Sequence, residues 1–228
     1  MTNERSDVLE RAMGYPYPVP SQPFVQLGHG TLDPAEVDVD WGERLPLLAY
    51  GSNAAPKALA HKLALSDDPV LVVPAWLYDF DVVYSAHISP YGAVPAALQH
   101  SPGTVARVHV VHLTREQLVL VSATEPNYEP TVLETVDCRL DDDRRLSELS
   151  AYISRHGCLL IDGSEVALSS VRATGRKFAE LSEPEVLEYV RALACPAESL
   201  ETFVLANVTD PDLAGRRSAQ LPRRALWQ

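Results

Sequence analysis

A strand that runs into a glycine turn and then into a helix constrains this chain most. Leu45-Pro46-Leu47-Leu48-Ala49 is a short apolar run of the kind buried strands use. Tyr50-Gly51-Ser52-Asn53 follows, and Ala54 to Leu65 is rich in Ala and Leu, with Leu59 and Leu63 on one helical face. Pro56 suits a first helical turn, where N–H groups have no intrahelical partner, and Ser52 or Asn53 can cap it. Such a junction directs several backbone N–H groups at one spot, where the helix dipole favours negative charge. A carboxylate, a phosphate or a developing oxyanion would suit it.

The rest of the chain reads as short strands joined by turns, with helices around them. Strand patterns cover Val70–Leu77, the alternating Asp79–Tyr84, Val94–Gln99, Val105–Leu113 and Thr131–Leu140. Ser89-Pro90-Tyr91-Gly92 and Ser101-Pro102-Gly103-Thr104 read as turns. Leu146–Ile153 carries mixed helix and strand signals. Gly157–Ser164, with Asp162-Gly163, reads as a loop. Thr114-Arg115-Glu116-Gln117 is a capping box that opens a short helix to about Ala123. Pro126 then biases Glu125 out of the helical region, so Glu125 closes that helix. Ser182-Glu183-Pro184-Glu185 opens a second helix, to about Ala194, and Pro196–Ala206 suits another.

The ends differ from the middle. Asp7–Met13 can make a turn or two of helix. Tyr15-Pro16-Tyr17-Pro18-Val19-Pro20-Ser21-Gln22-Pro23-Phe24 has too many prolines for helix or central strand and is expected to be extended. It could be a ligand for a proline-binding partner. The preferred reading is an arm across the body, anchored by Tyr15, Tyr17 and Phe24, because aromatics between prolines bury well. The tail, with Arg216, Arg217, Arg223, Arg224 and Trp227, reads as a surface strap or mobile.

Composition narrows the function classes. Of 228 residues, 46% are hydrophobic and 22% charged, ordinary for a globular protein, and the net charge is −12. That acidity argues against nucleic acid or an anionic membrane as partner. No apolar run approaches the ~18 residues of a membrane span, and Met1–Glu10 shows no secretory pattern. Cys138, Cys158 and Cys195 are scattered, without a zinc-type or disulfide spacing, so reduced thiols in the cytoplasm are expected. His109 and His112, three apart on a strand, face opposite sides and cannot share a metal. Asp141-Asp142-Asp143 reads as a solvated turn rather than a calcium loop.

Tyr50-Gly51-Ser52-Asn53 at the end of the first core strand resembles the Tyr-Gly-Ser-Asn/Leu signature of the γ-glutamylcyclotransferase-like family. The family's later pattern, a Gly-containing turn, a strand, a short helix, then Glu and Tyr, is matched in order from Gly92-Ala93 to Glu125-Pro126-Asn127-Tyr128. The resemblance spans about Leu45 to Val136. It departs at Pro126, where Gly is common, and at Arg107, where many members have Gly. It implies an α+β fold: a small mixed β-barrel with peripheral helices, carried by residues 44–180. Residues 1–43 would form the N-terminal extension and 181–228 a C-terminal helical extension and tail.

The resemblance also implies a reaction. A γ-glutamyl amide is cleaved by its own α-amine, which releases 5-oxoproline and a free amine. Glu125 would be the catalytic acid/base. The Tyr50, Gly51, Ser52 and Asn53 turn would cradle the substrate and its oxyanion, and Tyr128 would close the pocket. Arg107 would grip a substrate carboxylate, or else be an outward strand residue. No metal and no organic cofactor is implied, and the partner is a small molecule. A second reading is a binding module that holds an anionic small molecule or peptide carboxylate at the same turn, with Glu125 incidental. An enzyme needs the Glu125 carboxylate in one pocket with that turn.

Overall fold

The computed structural model describes residues 2–226. Trp227 lies outside them. The N-terminal part holds α1 (Thr2–Met13), β1 (Phe24–Leu27), β2 (Gly30–Leu32), β3 (Leu45–Ala49) and α2 (Pro56–Lys62). The middle holds β4 (Val70–Tyr84), β5 (Ala96–Leu113), α3 (Arg115–Ala123), β6 (Tyr128–Leu140) and β7 (Arg145–Ser154). Then come β8 (Cys158–Ile161), β9 (Ser164–Leu168), β10 (Ala173–Thr174), β11 (Ala179–Leu181), α4 (Glu183–Ala194), α5 (Leu200–Thr209), α6 (Pro211–Ala219) and β12 (Arg223–Arg224).

Five of the strands close on themselves. The order is β5-β3-β7-β6-β4, and β4 pairs back with β5. Only the β3–β7 pairing in this ring is parallel, so the barrel is mixed. The molecule is α+β, a small mixed β-barrel with peripheral helices, and closure leaves the ring no free edge. The periods of the sequence explain it. In β5, Ala106, Val108 and Val110 alternate into the core while Arg107 and His109 face away from it.

The same core takes in both ends of the chain. Ala12 and Tyr15, and Val186, Phe203, Ala214 and Leu221, belong to the buried cluster that includes Leu48, Val73, Leu98 and Val110. The stretch before Trp41 holds more structure than its sequence signals. Hairpin β1–β2 adds to β4, and two 3-10 turns are capped by Asp33 and Asp40.

Several expected breaks are not breaks. Ser101-Pro102-Gly103-Thr104 lies inside the single long β5, not at a chain reversal. Gly103 takes φ +85° opposite an irregularity in β4, where Asp79 has φ +64°, and Gly103 N–H donates to Asp79 Oδ1 at 2.7 Å. Turn chemistry here makes a bulge that bends two paired strands. Leu146–Ile153 resolves as strand within β7. The expected loop at Gly157–Ser164 is the β8–β9 hairpin, closed by Asp162-Gly163 with φ +51° and +81°. Two positive φ values are what a tight two-residue hairpin turn requires.

The C-terminal helices are capped by Ser199 and Asp210. Arg217 is no loose surface cation: it is buried, donating to Asn207 Oδ1 at 2.8 Å and to Glu198 Oε1 at 2.6 Å. Arg223 and Arg224 form a short strand on β8.

Glu183, the first residue of α4, is buried. Its Oε1 accepts Val94 N–H at 2.6 Å, while Oε2 has no partner. Burial pushes this carboxyl well above the usual carboxylate range. The folded chain therefore keeps a proton that the unfolded chain releases above about pH 4.5, and stability falls as pH rises through that window. Glu183→Gln removes the titration. The expected result in denaturant unfolding is a stability difference between variant and parent that shifts in the variant's favour as pH rises from 4 to 8. A gap that does not change with pH would contradict this.

Candidate active site

The strand–turn–helix junction forms, with one change. Ser52–Ala54 makes a 3-10 turn before α2, and α2 is capped by Ala55 without a side-chain bond. Neither Ser52 nor Asn53 caps the helix. Pro56 explains this, since it holds Ala55 extended at φ −73° and ψ 129° and breaks the helix there. Among the described residues, no backbone carbonyl takes up the N–H groups of Gly51, Ser52 or Asn53.

These residues line a cavity of about 1280 Å³ with Glu125 and Tyr128. Glu125 follows α3, whose Thr114–Gln117 capping box is present with both reciprocal bonds, and Tyr128 starts β6. The cavity thus collects Tyr50, Gly51, Ser52, Asn53, Glu125 and Tyr128. It does not collect Arg107. That guanidinium pairs with Asp141 in two bonds of 2.7 and 2.5 Å and lies 5.0 Å from the centre of the Trp76 ring. Strand parity sends it outward, where it is held by its own partners.

The geometry adds a residue that sequence reasoning missed. Lys62, in the last turn of α2, forms an ion pair with Glu125 Oε1 and donates to Asn53 Oδ1 at 2.6 Å. Both side chains of the pair are only 13% exposed. Lys62 thus ties the carboxylate to the turn, and a cation in this spot is met by a carboxylate and an amide oxygen.

Tyrosines build the walls. Tyr50 donates its hydroxyl to Tyr152 O, and Tyr128 donates to Ala96 O at 2.8 Å. Tyr15, from the arm, accepts Ala96 N–H at 2.9 Å, so two tyrosines hold one residue, one at its N–H and one at its carbonyl. A Cβ on Gly51 would overlap the Tyr15 hydroxyl, which is why this position lacks a side chain. Tyr15, Tyr17 and Tyr91 pack together, with centroids 6.0 to 6.5 Å apart. The arm is not uniformly extended: Tyr17 has φ +74° and its N–H closes a turn onto Gly14 O at 3.0 Å. Burial pushes the hydroxyls of Tyr15, Tyr50, Tyr91 and Tyr128 far up, so they stay protonated donors.

Among the described residues, no group of three or more His, Cys, Asp or Glu is placed to hold a metal, and no helix is long and apolar enough to cross a membrane. His109 is a half-buried and His112 a buried strand residue, and desolvation is the main cause that lowers both imidazoles to about 4.

No family model and no curated protein matches the chain. Some solved structures do. A γ-glutamyl cyclotransferase is 13% identical, with 80% of this chain and 90% of that one covered and a TM-score of 0.38. YkqA from Bacillus subtilis is 15% identical, with 79% and 56% covered and a TM-score of 0.38. An Arabidopsis thaliana protein is 21% identical, with 48% and 61% covered and a TM-score of 0.36. The chain thus spans less than two thirds of the length of the last two. Likenesses this slight carry no functional inference.

Proposed function

We propose that the protein is a γ-glutamylcyclotransferase-like enzyme acting on a small-molecule γ-glutamyl amide. The observation that carries this reading is that Glu125 and the Gly51–Asn53 turn line one cavity, with Lys62 bonded both to Glu125 Oε1 and to the side-chain Oδ1 of Asn53. A glutamyl chain curled in that cavity brings its α-amine to its own γ-carbonyl, and orientation of this kind lowers a barrier by up to ~7–11 kcal/mol in ideal cases.

The α-ammonium enters where Lys62 shows that a cation is welcome, and Lys62 turns to the substrate carboxylate. Glu125 takes one proton from the ammonium. The free amine attacks the γ-carbon, a C–N bond forms, and the carbonyl electron pair moves to oxygen. The N–H groups of Gly51 and Ser52 face that oxyanion, each good donor contributing ~3–4 kcal/mol. Glu125 returns its proton to the leaving nitrogen and the amide C–N bond breaks. A second proton follows the same route from the ring nitrogen to the departing amine. The products are 5-oxoproline and a protonated amine.

The direct test is 5-oxoproline release across a panel of γ-glutamyl amides. Release from none of them would discard the reading and leave the anion-binding module. Nothing in this scheme uses a metal or a thiolate. Burial raises the Cys138 thiol to about 12 and the Cys158 thiol to about 11, and both are enclosed. Turnover is therefore expected to persist within about twofold after treatment with a chelator or a thiol-alkylating reagent. Its loss to the chelator would reveal a metal site outside this scheme.

A further inference from the structure

Between β4 and β5 the chain places a histidine in the cavity that the reaction scheme does not use. His87 is 2% exposed and lines the cavity beside Tyr128, whose ring centroid lies 5.9 Å away. Its ring stacks on His156 at 4.3 Å, and His156 Nε2 contacts Asn127 Oδ1 at 3.1 Å. His87 Nδ1 lies 2.8 Å from Ser85 Oγ, and Ser85 Oγ lies 2.6 Å from Ser154 Oγ. His87 Nε2 has no protein partner among the described residues, and it is not among the polar atoms sealed from solvent. It opens onto the cavity.

The protons of this chain can be counted. Ser154 Oγ accepts His156 N–H at 3.1 Å, and the acceptor that its own hydrogen meets among the described residues is Ser85 Oγ at 2.6 Å. Ser85 then has one hydrogen to give, to His87 Nδ1 at 2.8 Å or to Gly157 O at 3.3 Å. A carbonyl oxygen can accept twice, so Gly157 O, which takes Ala86 N–H, is still open to Ser85, and what favours Nδ1 is that its contact is the shorter. With the Ser85 hydrogen on that shorter contact the ring hydrogen is left on Nε2, whereas with it on Gly157 O the ring would donate from Nδ1–H to Ser85 Oγ.

We propose that His87 is a substrate-binding residue, held by the Ser154–Ser85 relay as a neutral Nε2–H donor that hydrogen-bonds an acceptor oxygen of the γ-glutamyl head group. This rests on the cyclotransferase reading. Desolvation, with His156 and Arg223 nearby, lowers the His87 imidazole to about 3, so the donor carries no charge through the physiological range. A neutral donor reads an oxygen without competing with Lys62 for Glu125.

Two measurements test this. The first is nitrogen-15 NMR of the His87 ring, whose two neutral tautomers give different shifts. The expected result is the Nε2–H tautomer between pH 5 and 8, lost in Ser85→Ala. An Nδ1–H tautomer or an imidazolium would overturn the proposal. The second is calorimetric binding of 5-oxoproline and of a slowly turned-over γ-glutamyl amide. His87→Phe keeps a flat ring without donors, and dissociation constants are expected to rise about tenfold, as for the loss of one hydrogen bond. His87→Gln, which offers a donor near the Nε2 position, is expected to recover part of that. Should His87→Phe not fold, Ser85→Ala serves in its place, with a smaller rise. Unchanged binding in folded variants would overturn the role of His87 alone. A parent protein that binds neither ligand would overturn the cyclotransferase reading and this proposal together.

Discussion

Glu125→Gln is expected to lower 5-oxoproline release by ~10²–10⁴-fold, the range general acid/base groups supply. Glutamine keeps the shape and one acceptor oxygen but takes no proton near neutral pH, so the α-ammonium stays protonated and cannot attack. Binding of a γ-glutamyl ligand is expected to change far less. The ion pair adds a second consequence. Lys62 and Glu125 are mostly enclosed, so the substitution leaves the Lys62 ammonium without a counter-charge, with only neutral amide oxygens, that of Asn53 and that of the new glutamine, to accept from it. A stability loss of ~1–3 kcal/mol is expected, and rates belong at a temperature where both proteins are folded. Glu129→Gln is the control. Glu129 is a surface group, 57% exposed at its side chain and paired with Arg155, and such pairs are worth ~0.2–1 kcal/mol. Equal turnover by the parent and Glu125→Gln, on a substrate that both bind, sinks the catalytic role. Loss of turnover in Glu129→Gln instead would move the base four residues along.

How much of this site a reader of the sequence can see depends on how local each cause is. The Gly51 turn, the α3 capping box and the position of Glu125 before Pro126 are set by neighbouring residues. Ser52 as helix cap failed for an equally local reason that was open to view, since Pro56 restricts Ala55. Arg107 could have been settled by parity, because Ala106, Val108 and Val110 claim the core side of β5. Lys62 is different. It meets a residue 63 positions away, and no pattern around it distinguishes it from Lys57 on the same helix. His87 lies in the short connection between β4 and β5, where only the tertiary packing brings Ser154 and His156 to it.

The same contrast explains the fold. Closure of the ring needs β3 to pair with β5 on one side and β7 on the other, and sequence periodicity gives strands without giving partners. The long β4 and β5 looked like several strands because Asp79 and Gly103 carry turn chemistry. The paired ladder on both sides of that point outweighed it. In the C-terminal part, Arg217 carries a charge that a solvated tail would explain. Burial against Asn207 and Glu198 is visible only once α5 and α6 are packed together.

The glycine at position 51 gives the second large expectation, and it has a partner that can be varied. Gly51→Val is expected to reduce turnover by at least ~10²-fold, because the new side chain must push away Tyr15 and shift the amides that face the oxyanion. The cause is separable from general damage by a cycle with the smaller Gly51→Ala. A Cβ there meets the Tyr15 hydroxyl and, at 3.4 Å, the Ala96 Cβ. Tyr15 must withdraw, the Ala96 N–H loses its acceptor, and a loss of ~1–3 kcal/mol follows. Tyr15→Phe removes the same acceptor by itself, with a similar loss, and clears the space beside Gly51. Both substitutions break one bond, so the double variant is expected to cost less than the sum, with a coupling of ~0.5–3 kcal/mol in unfolding free energy. Turnover in Gly51→Ala is expected to recover in part when Tyr15→Phe is added. Strictly additive stabilities and no recovery would mean that Tyr15 is not what keeps this turn a glycine, and that the arm merely lies over the site without shaping it.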